Sequence, residues 1–208
     1  MPEYLRRSLL KETEKCYAAY PYGSRVYGTA DHDSDWDFIV ITSRKDEGMR
    51  HGEVNIKYWT PEHFQRLLDE HHVTALECYF LEPDFHYSEN IVHPPEPWKF
   101  ELDKAKLYES LIEKADRDWV KAERWLSASH KTPENIRKAK KAIWHAFRIL
   151  SFGSQIVDSR KIYYDEANWA HQSIMNDPAE DWEHYETKWR TDYNTFKKGL
   201  RAATIGTE

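Results

Sequence analysis

Residues 3–19 place Leu5, Leu9 and Leu10 near helical spacing, with Arg6, Arg7, Lys11 and Glu14 between them, so an amphipathic helix is expected. The run WDFIVIT at 36–42 is short, apolar and β-branched, as a buried strand would be. A turn, SRKDEGMRHG, follows. EVNIKYW at 53–59 then alternates: Val54, Ile56 and Tyr58 fall on one face of a strand, and Glu53, Asn55 and Lys57 on the other. Thr60 and Pro61 start a helix, as an N-cap followed by proline at the first helical position, and that helix runs to about residue 70. HVTALECYFL reads as a further helix.

The segment 83–97 holds four prolines and little periodicity. It reads as a linker between a mixed N-terminal part and a helical C-terminal part. Long helices are predicted over 98–128 and 133–157, the second opened by Thr132 and Pro133, and a last one over 179–200. The expected class is α+β: a mixed sheet with flanking helices over residues 1–92, then a helical domain over 98–208.

Composition narrows the chemistry. With 208 residues and 40% hydrophobic positions, the chain can build a core. The net charge of −6 argues against holding nucleic acid by bulk electrostatics, so any such contact needs a local basic patch. Cys16 and Cys78 are too few for a disulfide framework or a four-cysteine zinc site. The first twenty residues carry charge throughout, and no stretch approaches the roughly 20 apolar residues of a membrane span. A cytoplasmic protein without membrane contact is expected.

The informative stretch is GSRVYGTADHDSDWD at 23–37: Gly23-Ser24, ten residues, then Asp35-Trp36-Asp37 leading into the apolar strand. Two carboxylates two residues apart on a strand project from one face and repel each other. A divalent cation removes that cost, and Mg²⁺ or Mn²⁺ suits such oxygen ligands. Trp36 points the other way, into the core. The Gly-Ser turn offers backbone N–H groups and a hydroxyl to a polyphosphate, Gly23 permits close approach, and Arg25 is a further phosphate candidate unless it pairs with Asp33.

Gly-Ser, ten residues, Asp-x-Asp resembles the signature of the polymerase-β-like nucleotidyltransferases, with a spacing similar to the minimal nucleotidyltransferases, some of which are antitoxins. The fuller motif looks most like the predicted nucleotidyltransferases associated with RNA repair. Residues 54–80 resemble their second catalytic strand and following helix, with Glu77 at a matching acidic position. KKAIWHAFRIL resembles their C-terminal Lys/His/Arg helix. The resemblance implies transfer of a nucleoside monophosphate from an NTP to a hydroxyl, on RNA or protein. It also implies a two-metal transfer in which Asp35 and Asp37 bind both metals and Ser24 with its adjacent backbone holds the β- and γ-phosphates.

One position departs from that pattern. Where the superfamily carries a third carboxylate, the alignment places Asn55, whose amide can offer a metal its oxygen but cannot take a proton. Glu53 can substitute only if its side chain spans about 6–7 Å of strand. The departure leaves two readings: a transferase that uses Glu53, or an NTP-binding partner or antitoxin-like regulator of little activity. Further along, Lys138, Lys141, His145 and Arg148 recur at helical spacing opposite Ala139, Ala142, Ile143, Ala146, Phe147 and Leu150. That stripe is either a solvated face or a phosphate-binding surface, and the resemblance favours the latter for Lys141, His145 and Arg148. Tyr20, Tyr22 and Tyr27 can stack on a base or pack the first strand. The tryptophans of the C-terminal helices read as packing residues.

Overall fold

The computed structural model describes residues 17–43, 49–81 and 98–206. By contact the chain divides between Glu101 and Leu102 into two compact units.

The N-terminal unit contains β1 (Ala18–Tyr22), β2 (Trp36–Ile41), β3 (Met49–His51), β4 (Val54–Trp59), α1 (Pro61–Asp69) and α2 (Val73–Tyr79). The sheet order is β1-β2-β4-β3. β2 runs antiparallel to β1 and parallel to β4, and β3 closes antiparallel on β4. The sheet is therefore mixed. β2 is interior and covered on both faces, with Phe38, Ile39, Val40 and Ile41 fully buried. That explains its unbroken apolar run.

The strand alternation sorts two faces. Ala19, Trp36, Phe38, Val40, Val54, Ile56 and Tyr58 form one buried cluster. On the other face Tyr20 stacks on Phe64 of α1 at 5.7 Å, and Phe64 also meets Trp59 and Trp98. Trp98 Nε1 donates to the Tyr20 hydroxyl at 3.1 Å. Thr60 caps α1 by accepting from the His63 amide, and Pro61 follows at the first helical position, as the sequence predicts. Buried Cys78 on α2 is a free thiol.

Three boundaries differ from expectation. The predicted helix over 3–19 fails at Ala18 and Ala19, which pair with Ile41 and Val40 in the sheet. Both alanines are buried there, beside the C-terminal end of β2. Residues 3–16 lie outside the described residues. The predicted turn at 43–52 contains β3, because Met49–His51 pairs with β4; residues 44–48 lie outside the description. The proline-rich linker expected over 83–97 lies outside the described residues as well.

The C-terminal unit contains α3 (Lys104–Leu126), α4 (Pro133–Ser159), a short 3₁₀ turn (Glu166–Asn168), α5 (His171–Met175) and α6 (Trp182–Ile205). α3 begins six residues later than expected because Asp103 caps it, accepting from the Ala105 and Lys106 amides. Thr132 and Asp181 cap α4 and α6 in the same way. Trp119 stacks on Tyr193 at 4.2 Å, and Phe147 meets both edge-on. At Gly153 a Cβ would lie 2.6 Å from Leu111 and 2.7 Å from Leu200, so α3 and α6 both close tightly on α4 there. The indoles Trp119, Trp144 and Trp189 are buried, whereas Trp169 is half exposed and stacks on Phe196. No helix among the described residues is long and apolar enough to cross a membrane.

Candidate active site

Pairing register assembles the acidic site. Asp37 lies opposite Asn55 across the parallel β2–β4 pair, and Asn55 lies opposite Arg50 across the antiparallel β4–β3 pair. Residues opposed in register project from the same face, so these three form one row across the sheet. Asp35 stands just before β2 and is drawn to the same point. Asn55 Nδ2 donates to Asp35 Oδ2 at 3.1 Å and to Asp37 Oδ1 at 3.0 Å. Arg50 Nη2 donates to Asp35 Oδ2 at 3.3 Å. The two carboxylates thus converge, as their spacing predicts. Trp36, between them, is buried on the opposite face.

The Gly-Ser segment forms the adjoining wall. Gly23 follows the end of β1, whose Tyr22 is paired with Asp37. The amides of Val26 and Tyr27 donate to Gly23 O at 3.0 and 3.1 Å, and Thr29 N donates to Ser24 O at 2.9 Å, which folds the segment into a tight turn. Gly23 has φ +81°, and a Cβ there would lie 2.7 Å from Asp37 Oδ2. The close approach that Gly23 permits is therefore first of all to Asp37. The Tyr27 hydroxyl donates at 3.1 Å to the buried carboxylate of Glu77, which ties α2 to the turn. Arg25 lies over the Trp36 ring at 4.2 Å and donates to the Ser34 carbonyl. Its guanidinium braces the motif loop.

The donor set suits a divalent cation. Oxygens of Asp35 and Asp37 already share one electropositive N–H₂ group, at distances a hard cation could replace by oxygen ligation. Among the described residues no group of three His, Cys, Asp or Glu side chains gathers as a metal site, and at this point the third member is the amide of Asn55. Glu53 lies in the turn before β4, exposed, and its carbonyl accepts from Trp36 N at 2.6 Å.

Two further residues share this face. Lys57, two residues beyond Asn55, holds its ammonium 5.3 Å from the centre of the Tyr22 ring. Burial pushes the Tyr22 hydroxyl pKa up, and the charges of Asp37, Cys78 and Glu77 add to that, so Tyr22 is a neutral phenol. The sequence alternation places Lys57 on the Asn55 face. Arg50 had no such signal, because it lies in a segment read as turn.

The remaining sequence candidates lie in the helical unit, on α4. Lys138 pairs with Glu134 one helical turn back. Lys138, Lys141 and His145 line a groove of about 510 Å³ with Lys114, Asp118, Lys121 and Trp125 of α3. Arg148 departs from the expected exposed stripe. It is 3% exposed and lies near the rings of Trp144 and Phe152. It donates to His145 Nδ1 at 3.0 Å, and since a guanidinium can only donate, that ring nitrogen is the acceptor. Desolvation, then the charges of Arg148, Lys114, Lys141 and Lys121, hold the His145 pKa well below that of a free imidazole.

The family model of the nucleotidyltransferase domain matches residues 5–95. No curated protein matches the chain. The matched span contains the Gly-Ser turn, both aspartates and the strand that carries Asn55. With its mixed sheet and converging carboxylates, the N-terminal part of this chain is a nucleotidyltransferase domain of the polymerase-β superfamily.

Proposed function

We propose that the protein transfers a nucleoside monophosphate from an NTP to a hydroxyl acceptor, with Mg²⁺ or Mn²⁺ held by Asp35 and Asp37. The observation that carries this reading is the convergence of both carboxylates on one point beside Gly23. A divalent ion there supplies charge neutralisation for the reacting phosphates. The chain's own residues do the rest. The Gly23–Ser24 turn receives the β- and γ-phosphates, and Arg25 keeps that turn in place against Trp36. Lys57 adds positive charge to the same face. Glu53, whose backbone meets that of Trp36 next to Asp35, is the carboxylate offered to take the acceptor's proton.

For the acceptor we favour RNA, an RNA end or a tRNA, over a protein hydroxyl. The support is the groove of Lys114, Lys121, Lys138 and Lys141 beside Trp125, a local basic patch with an aromatic ring on an otherwise acidic chain. His145 also lines that groove, and buried Arg148 behind it donates to the imidazole Nδ1. With an NTP as substrate, we propose a cytoplasmic location.

A second reading is favoured by Asn55 alone: a nucleotide-binding partner or antitoxin-like regulator with little turnover. The test incubates each labelled NTP with Mg²⁺ or Mn²⁺, total RNA and the purified protein, with Asp35→Ala/Asp37→Ala alongside. Label in RNA from wild type only is the expected result. Label on protein would move the acceptor, and NTP binding without transfer would establish the second reading.

A further inference from the structure

The row Asp37–Asn55–Arg50 limits the number of cations the site can take. Resting on the metal-dependent reading above, we infer that Asn55 and Arg50 stand in place of a second metal, so that the site holds one divalent cation where the family pattern supplies ligands for two. Asn55 Nδ2 donates to both carboxylates, and Arg50 donates to the same Asp35 Oδ2. That oxygen therefore already accepts from two donors, a neutral amide and a charged guanidinium. The amide orientation follows from chemistry: carboxylates accept only, so the N–H₂ end of Asn55 must face them. A third carboxylate at position 55 would add negative charge to the row and give a second cation its own anionic ligand. An amide adds none, and Arg50 removes one unit of negative charge. Two carboxylates beside the guanidinium carry a net single negative charge, so one divalent ion already outweighs them, and a second would find no protein carboxylate of its own and would depend on the nucleotide's phosphate oxygens alone.

Both side chains are placed by the fold. Arg50 reaches Asp35 because three-residue β3 pairs with β4 in the register that opposes Arg50 to Asn55. The Arg50–Asp35 contact is open to water, with the two side chains 71% and 34% exposed, so screening weakens it. Asn55, half-buried and bonded twice, is therefore the stronger determinant and Arg50 the supporting one.

The test counts Mn²⁺ retained by the full chain in equilibrium dialysis with the α,β-methylene analogue of each NTP, with Asp35→Ala/Asp37→Ala as background. Electron paramagnetic resonance is read on the same samples, since two Mn²⁺ ions sharing a carboxylate couple and a lone ion does not. Wild type is expected to retain one uncoupled ion. Asn55→Asp and Asn55→Asp/Arg50→Ala are expected to retain two coupled ions. Two ions on wild type would overturn the inference and leave the transfer reading standing. No ion on wild type would remove the metal premise shared with the transfer reading. A folded Asn55→Asp/Arg50→Ala variant that still holds one ion would show that these residues do not set the count. The single Asn55→Asp variant decides the question if the double variant does not fold.

Discussion

Gly23 and Asp37 are in such close register that a methyl group on the glycine would lie 2.7 Å from the aspartate Oδ2. Gly23 also has φ +81°, where a non-glycine residue costs about 1–2 kcal/mol. Overpacking against a fixed side chain adds about 1–3 kcal/mol. Gly23→Ala is therefore expected to lower unfolding free energy by about 2–5 kcal/mol in urea and to abolish nucleotidyl transfer by displacing Asp37. Unchanged stability and turnover would mean that the turn moves away from Asp37 without cost.

Metal removal supplies an independent check on the carboxylates. If Asp35 and Asp37 hold Mg²⁺, an excess of about 100 times its Kd stabilises the fold by about 2.7 kcal/mol. The Tm of wild type should rise on adding Mg²⁺ or Mn²⁺ and fall back with EDTA. Asp37→Asn should not respond, while its metal-free Tm should equal or exceed that of wild type because a repelling charge is gone. An equal metal response in that variant would place the cation elsewhere.

His145 predicts a pH dependence of the helical unit. Its folded pKa is depressed, chiefly by desolvation and then by Arg148, Lys114, Lys141 and Lys121, while in the unfolded chain it titrates at about 6.5. Below about 6.5 the unfolded chain binds a proton that the folded chain refuses, so stability falls as pH drops. His145→Gln should flatten the stability profile between about pH 6.5 and 5. Parallel profiles for wild type and variant would show that the folded imidazole protonates normally.

Asp177 carries the opposite kind of buried charge. Burial alone disfavours its ionised form, but Lys188, the Ala179 amide and His184 outweigh it and hold the carboxyl well below its usual range. The contacts are 2.7 Å to Lys188, 3.0 Å to Ala179 N and 2.9 Å to His184. Asp177→Asn should cost about 1.5–3 kcal/mol at neutral pH. A depressed carboxylate stabilises fully above its unfolded pKa of ~3.9, and the effect is lost as pH falls toward the folded value. The gap between wild type and variant in urea unfolding should therefore narrow below about pH 4. A constant gap would mean that the Asp177 interactions do not depend on its charge.

The sequence by itself determined what depends on neighbours along the chain. The apolar run of β2, the alternation of β4, and the caps Thr60 and Thr132 are local signals, and they place elements correctly. The spacing of Asp35 and Asp37 put both carboxylates on one face for the same reason. Tertiary structure decided what depends on which segments meet. Ala18 and Ala19 leave the helical pattern because β2 pairs with them in the sheet. Arg50 joins the acidic site through the β3–β4 register, and Asn55 bridges both aspartates because β4 lies parallel to β2. Arg148 looks like part of a solvated stripe by periodicity, yet it is buried near Trp144 and Phe152. Periodicity assigns a side chain to a face, and only packing decides what that face meets and whether water reaches it.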